Sequence, residues 1–124
     1  MAIKIVDASA IAALVFGEPD AIEVAKRLSG ATLVAPSLLS FEIASVCLKK
    51  MRRHPEQREA LLEAHRLFGQ MGISQTEVDL NGVLILAEQT GLTGYDASYL
   101  WLARQLNAEL VTLDKQLARA VITD

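Results

Sequence analysis

The stretch IKIVDASAIAALVFGEP, residues 3–19, decides the fold class. Its opening β-branched run, Ile3–Val6, reads as a short buried strand that ends at Asp7. Residues 9–16 continue as an apolar helical run, closed by Gly17 and Pro19. A strand followed directly by a helix is the first step of a βαβ unit, and the chain goes on alternating. Residues 20–28 predict a second helix, Gly30 punctuates, and residues 32–35 predict a second strand before Pro36 and Ser37 open a long helix. That helix runs to about Arg53, where Pro55 stops it, and an amphipathic helix over residues 56–71 completes a helical hairpin. Residues 73–78 alternate imperfectly as a third strand, residues 80–89 read as a helix stopped by Gly91, and residues 95–106 form the clearest late helix. Residues 110–112 predict a strand leading to Asp114 and a last short helix, with Val121 and Ile122 expected to add an edge strand. Strands alternating with helices imply an α/β fold, a mostly parallel sheet covered on both faces.

A chain of 124 residues fits one domain, expected to span residues 1–124, and can bury roughly two thirds of the surface its unfolded form exposes. No apolar run approaches the roughly 20 residues needed to span a bilayer, so no membrane partner is expected. The N-terminus enters a strand without a cationic leader, which makes a cytoplasmic location the expectation. The single cysteine, Cys47, lies among apolar residues and reads as packing. A net charge of −3 argues against a simple basic nucleic-acid binder. It leaves room for a nuclease, in which carboxylates hold cations and the cations meet the phosphates. The six aromatic residues are too scattered along the chain to predict a base-stacking platform.

Four acids stand out. Asp7 and Asp114 follow strands, Asp96 opens a helix, and Glu42 is expected about one and a half turns into a helix among Leu38, Leu39, Phe41, Ile43 and Ala44. In open parallel sheets, ligands gather beyond the carboxyl ends of the strands, so all four could face one cavity. Clustered like charges repel and raise one another's pKa, an arrangement tolerated mainly when a cation neutralises it. Carboxylate oxygens suit Mg²⁺ or Mn²⁺, and the chemistry that follows is phosphodiester hydrolysis. Each aspartate also has a plainer explanation as a helix cap: Asp7 before residue 9, Asp96 within a Thr93 capping box, and Asp114 before the last helix. Glu42 is explained least by capping. Lys49 and Arg53 fall within about 20° of Glu42 on the same helix face and are candidate contacts for RNA phosphates, although cations also favour a helix C-terminus for its own sake. His54 and His65 lack paired ligand spacing. Tyr99 and Trp101 read as core or dimer-interface residues, and the apolar first helix as core or partner surface.

Taken in order, Ile5-Val6-Asp7-Ala8-Ser9, Gly17-Glu18-Pro19, Phe41-Glu42, Tyr95-Asp96-Ala97-Ser98-Tyr99 and Thr112-Leu113-Asp114 resemble the PIN-domain ribonucleases of the VapC toxin type from end to end of the chain. The resemblance implies a three-layer α/β/α sandwich with a central parallel sheet and Mg²⁺- or Mn²⁺-dependent endonucleolytic RNA cleavage. It also implies a cognate VapB-like antitoxin and a homodimer. By position, Asp7, Glu42, Asp96 and Asp114 match the family's acidic quartet, and Ser9 and Thr112 match the hydroxyl positions beside it. Asp7 and Asp96 are assigned as direct metal ligands, with Glu42 and Asp114 acting through water or taking a proton. Where some relatives carry a further acid or amide after the last aspartate, this chain has Lys115, Gln116 and Leu117, which favours one metal over two.

Two other classes compete. A signalling receiver domain has similar length and an acidic Mg²⁺ pocket, but it needs paired acids after the first strand and an aspartate after the middle one, and no aspartate occurs between Asp20 and Asp79. A non-catalytic interaction module would explain the aspartates as caps and leave Glu42 unexplained.

Overall fold

A computed structural model of the chain describes residues 2–122, so the ends of the expected 1–124 span lie outside the described residues. Four strands, β1 (Ile3–Val6), β2 (Thr32–Pro36), β3 (Ser74–Thr76) and β4 (Glu109–Val111), form one all-parallel sheet in the order β3-β2-β1-β4. In register, Ile5 pairs with Val34 on one side and with Leu110 on the other. The chain first builds outward from β1 through β2 to β3, then returns to place β4 on the opposite flank. Strand order therefore reverses between β1 and β4, and a crevice is expected beyond their carboxyl ends.

The helices are α1 (Ala8–Val15), α2 (Ala21–Leu28), α3 (Leu39–Arg53), α4 (Arg58–Phe68), α5 (Leu80–Thr90), α6 (Gly94–Leu106) and α7 (Lys115–Ile122), with a 3-10 turn at Pro55–Gln57 before α4. Helices α1 to α4 pack against one another, while α6 lies across β1, β2 and β4 with α5 and α7 against it. This is the three-layer α/β/α sandwich. Its core joins Ile5, Val6 and Val111 from the sheet to Ile11, Leu39 and Ile43 from one helical layer and Tyr99, Leu100 and Leu117 from the other. Burial on both faces explains why the central strands read as continuous apolar runs rather than alternating ones. Cys47 is buried and free, as its apolar neighbours imply.

The expected edge strand at Val121 and Ile122 is absent, because both residues continue α7. β-branched residues favour strands, but Leu117 is fully buried and holds the helix, leaving Ile122 82% exposed on its last turn. The imperfect alternation at residues 73–78 reflects a strand of only three exposed residues, paired along one side to β2. Pro36, expected to open a helix, ends β2 instead, and Ser37 N–H donates to the Thr76 carbonyl beyond it.

Leu117 is the buried anchor of the helix that Asp114 caps. Leu117→Ala is expected to cost about 2–5 kcal/mol by creating a cavity, measured by urea unfolding. A loss below about 1 kcal/mol would mean that α7 is not anchored this way.

Candidate metal centre

Each acid reaches the crevice because a helix begins there. Asp7 ends β1 and caps α1, its Oδ1 accepting from Ala10 N–H at 3.0 Å. Asp114 lies just past β4 and caps α7, its Oδ1 accepting from Leu117 N–H at 2.9 Å. Thr93 caps α6 by accepting from Asp96 N–H at 3.1 Å, which places Asp96 in the first turn. Glu42 also lies in a first turn, because α3 starts at Leu39 and not at the residues after Pro36. Carboxylates are favoured at helix N-termini by the positive end of the dipole, so the capping explanation and the shared cavity hold together.

All four acids line a single cavity of about 470 Å³ beyond the carboxyl ends of β1 and β4. Asp7 is its floor, only 4% exposed. Besides the Ala10 amide, its carboxylate accepts from Ser9 Oγ at 2.7 Å and from Thr112 Oγ1 at 2.5 Å. The two hydroxyls are themselves held by the strand end, since Leu113 N–H donates to Ser9 Oγ and Asp114 N–H to Thr112 Oγ1, each at 2.9 Å. Thus Ser9 and Thr112 lock Asp7 to the segment that carries Asp114, across more than a hundred residues of sequence.

The cavity wall also holds residues outside the expected quartet. Tyr99, expected in the core or at a dimer interface, is buried but aims its phenol at the acids, donating to Glu42 Oε1 at 2.6 Å. Its signal was the spacing to Asp96: residues three apart share a helix face, so a helix that presents Asp96 to the cavity presents Tyr99 too. Glu18 and Asp20, from the loop between α1 and α2, also line the cavity. Glu18 is held by Lys50 Nζ at 2.9 Å, and that ammonium sits 5.6 Å from the Phe16 ring centre, joining the end of α1 to α3. Of the basic pair, Lys49 lines an adjoining cavity that shares Glu42, whereas Arg53 is exposed on the last turn of α3. His54 is exposed at the end of α3, and His65 packs beside Phe68.

Burial raises the pKa of Asp7, against the three hydrogen bonds it accepts, and Asp114 raises it further by repulsion. Glu42 is raised by burial, opposed by the Tyr99 hydrogen bond, and again by the charges of Asp96 and Asp7. Asp96 is raised by burial and then by Asp114 and Asp7. Tyr99 is raised by burial and by donating to Glu42, so it stays a protonated donor. Asp7, Glu42 and Asp96 thus each feel negative charge from other acids of the cavity. Among the described residues no three acidic, histidine or cysteine side chains close around one metal position. The donor set nonetheless suits Mg²⁺ or Mn²⁺, since such an ion takes hard oxygen donors, commonly only one or two carboxylates, and keeps several waters.

The chain is similar to known proteins along nearly its whole length. The PIN domain family model matches residues 4–122. The chain is 34% identical over 119 residues to Ribonuclease VapC3 of Pyrobaculum aerophilum, covering 92% of this chain and 91% of that protein. Its fold superposes on the crystal structure of PAE2754 from Pyrobaculum aerophilum with a TM-score of 0.77 at 28% identity, covering 99% of this chain and 94% of that one.

The shift at Asp7 has a testable sign. Its folded pKa lies above the unfolded value, near 3.8, so the native state holds a proton that the unfolded chain has released. Folding stability therefore falls as pH rises through the folded pKa, and the full cost is present once the folded carboxylate has ionised. Asp7→Asn removes that titration. In metal-free buffer, its stability relative to the parent should improve as pH rises from about 4 towards neutrality, read by chemical denaturation at several pH values. A pH-independent difference would contradict the burial cost.

Proposed function

The chain belongs to the PIN-domain family, and from that membership we propose that it is a Mg²⁺- or Mn²⁺-dependent endoribonuclease of the VapC type, the toxin of a toxin–antitoxin pair. The observation that carries the reading is the convergence of Asp7, Glu42, Asp96 and Asp114 on one cavity at the point where strand order reverses. Caps alone would account for the three aspartates separately. They do not account for Glu42, whose carboxylate turns from its own helix to meet Tyr99 and the other acids. A receiver-like domain is disfavoured by the same geometry, since β1 ends in one acid rather than two.

In this reading Asp7 and Asp96 hold the cation directly. Ser9 and Thr112 keep both Asp7 oxygens aimed, which is the part that hydrogen-bonded partners of metal ligands usually play. A cation held there would supply Lewis-acid stabilisation of charge on the phosphoryl oxygens and would make water a better nucleophile near neutral pH. Asp114 spends Oδ1 on its helix cap and Glu42 spends Oε1 on Tyr99, and among the described residues neither Asp114 Oδ2 nor Glu42 Oε2 has a hydrogen-bond donor. One of these two free oxygens takes the proton of the attacking water, and burial of Glu42 suits it to accept a proton closer to neutral pH. Lys49, beside the acids, and Arg53, further along α3, extend a positive face towards RNA phosphates.

The reading carries a homodimer, a VapB-like antitoxin and a cytoplasmic setting. No helix among the described residues is long and apolar enough to cross a membrane. The first helix, weighed as core or as partner surface, contributes its middle, Ala10 to Ala13, to the core.

Asp96→Asn should lower Mn²⁺-dependent cleavage of structured RNAs by roughly a hundredfold or more, with far-UV circular dichroism unchanged. Full activity in this variant would remove Asp96 from the site.

A further inference from the structure

Two aromatic residues break the burial pattern of this chain. Phe41 is 82% exposed and Tyr95 67% exposed, while Phe16, Phe68, Tyr99 and Trp101 are buried or half-buried. Each exposed ring immediately precedes an acid of the cavity, Glu42 on α3 and Asp96 on α6. The fold therefore brings together two aromatics that lie 54 positions apart, beyond the reach of any sequence window. Both line a second cavity of about 530 Å³, which shares Ala8, Glu42 and Val46 with the acidic one. Lys49 lines it as well, and none of the ion pairs among the described residues involves Lys49.

We propose that this second cavity is a nucleobase subsite, in which an unstacked base next to the scissile phosphate lies against Phe41 and Tyr95 while Lys49 meets a neighbouring phosphate. The inference rests on the nuclease reading and deepens it by naming where a base of the RNA would lie. Single-stranded RNA offers phosphates and splayed bases in alternation, and proteins take such bases on aromatic faces. The two adjoining cavities match that alternation, one lined by carboxylates fit for a cation and phosphate, the other by rings and a cation. A paired A-form stem keeps its bases stacked and would leave the rings unused. The opposite charges of Lys49 and a phosphate, and the continuity with the acidic cavity through Glu42, favour RNA over a protein segment as occupant. Every base has a π-face to offer an aromatic ring, so the subsite would add grip with little sequence selectivity.

The test measures binding of a short single-stranded oligoribonucleotide by fluorescence anisotropy in Ca²⁺, alongside the same oligomer with an abasic ribose at each position in turn. Phe41→Ala and Tyr95→Ala should each weaken binding by roughly five- to a hundredfold, with Phe41→Tyr and Tyr95→Phe restoring most of it. At one abasic position the parent protein should lose affinity and Phe41→Ala should lose little more. Equal abasic penalties in the parent and in Phe41→Ala would overturn the subsite. So would a weakening that merely follows lost Mn²⁺ binding in calorimetry, or unchanged RNA affinity with a changed oligomeric state in sedimentation, which would make the rings a protein contact. Base-dependent binding without Mn²⁺-dependent cleavage by the parent would sink the nuclease reading and leave the subsite standing. Cleavage without any aromatic-dependent position would sink the subsite alone.

Discussion

Asp7 is a carboxylate with almost no exposure, wedged between the ends of two parallel strands and held by donors from both sides of the point where strand order reverses. Much of the molecule answers to that placement. Asp7 N–H extends the β1–β4 ladder to the Val111 carbonyl, its side chain starts α1, and Ser9 and Thr112 tie it to the turn that carries Asp114. A neutral side chain would satisfy a cap and a turn at lower cost, because burying a charge is expensive unless it is compensated. The three hydrogen bonds compensate it only in part, since burial still raises its pKa.

The same conflict recurs at Glu42 and Asp96, each raised by burial and by the other acids. Holding Asp7, Glu42 and Asp96 charged in this cavity opposes folding at neutral pH, chiefly through burial, and the apolar core of the sandwich has to outweigh that cost. Acids perturbed by burial and by one another in this way are common at functional sites. A cation bound there would relieve the conflict.

The strands β1, β2 and β4 were legible because parallel strands buried on both faces must be continuous apolar runs, and the acids at their ends stood out against them. β3 was ambiguous because its exposed Ser74-Gln75-Thr76 carries no apolar signal. Val121 and Ile122 misled because local propensity favours strands, whereas burial of Leu117 decides for helix. The quartet could be picked out in sequence since three members sit at strand ends or helix starts. The Tyr99 to Glu42 hydrogen bond spans 57 positions and depends on how α6 lies across the sheet, so only the Asp96 to Tyr99 spacing hinted at it. That Phe41 and Tyr95 line one cavity was hidden for the same reason, and the scatter of aromatics along the chain pointed the other way.

The central claim is that the acidic cavity is unfavourable empty and favourable with a divalent cation. Thermal unfolding at neutral pH, followed while Mn²⁺ is titrated into metal-free protein, tests it most directly. The account predicts a midpoint that climbs with Mn²⁺, equivalent to about 2.7 kcal/mol at a hundred times the dissociation constant, and no climb in a variant with both Asp7 and Asp96 changed to Asn. A midpoint that does not respond to Mn²⁺ in the parent, or responds equally in that variant, would contradict it.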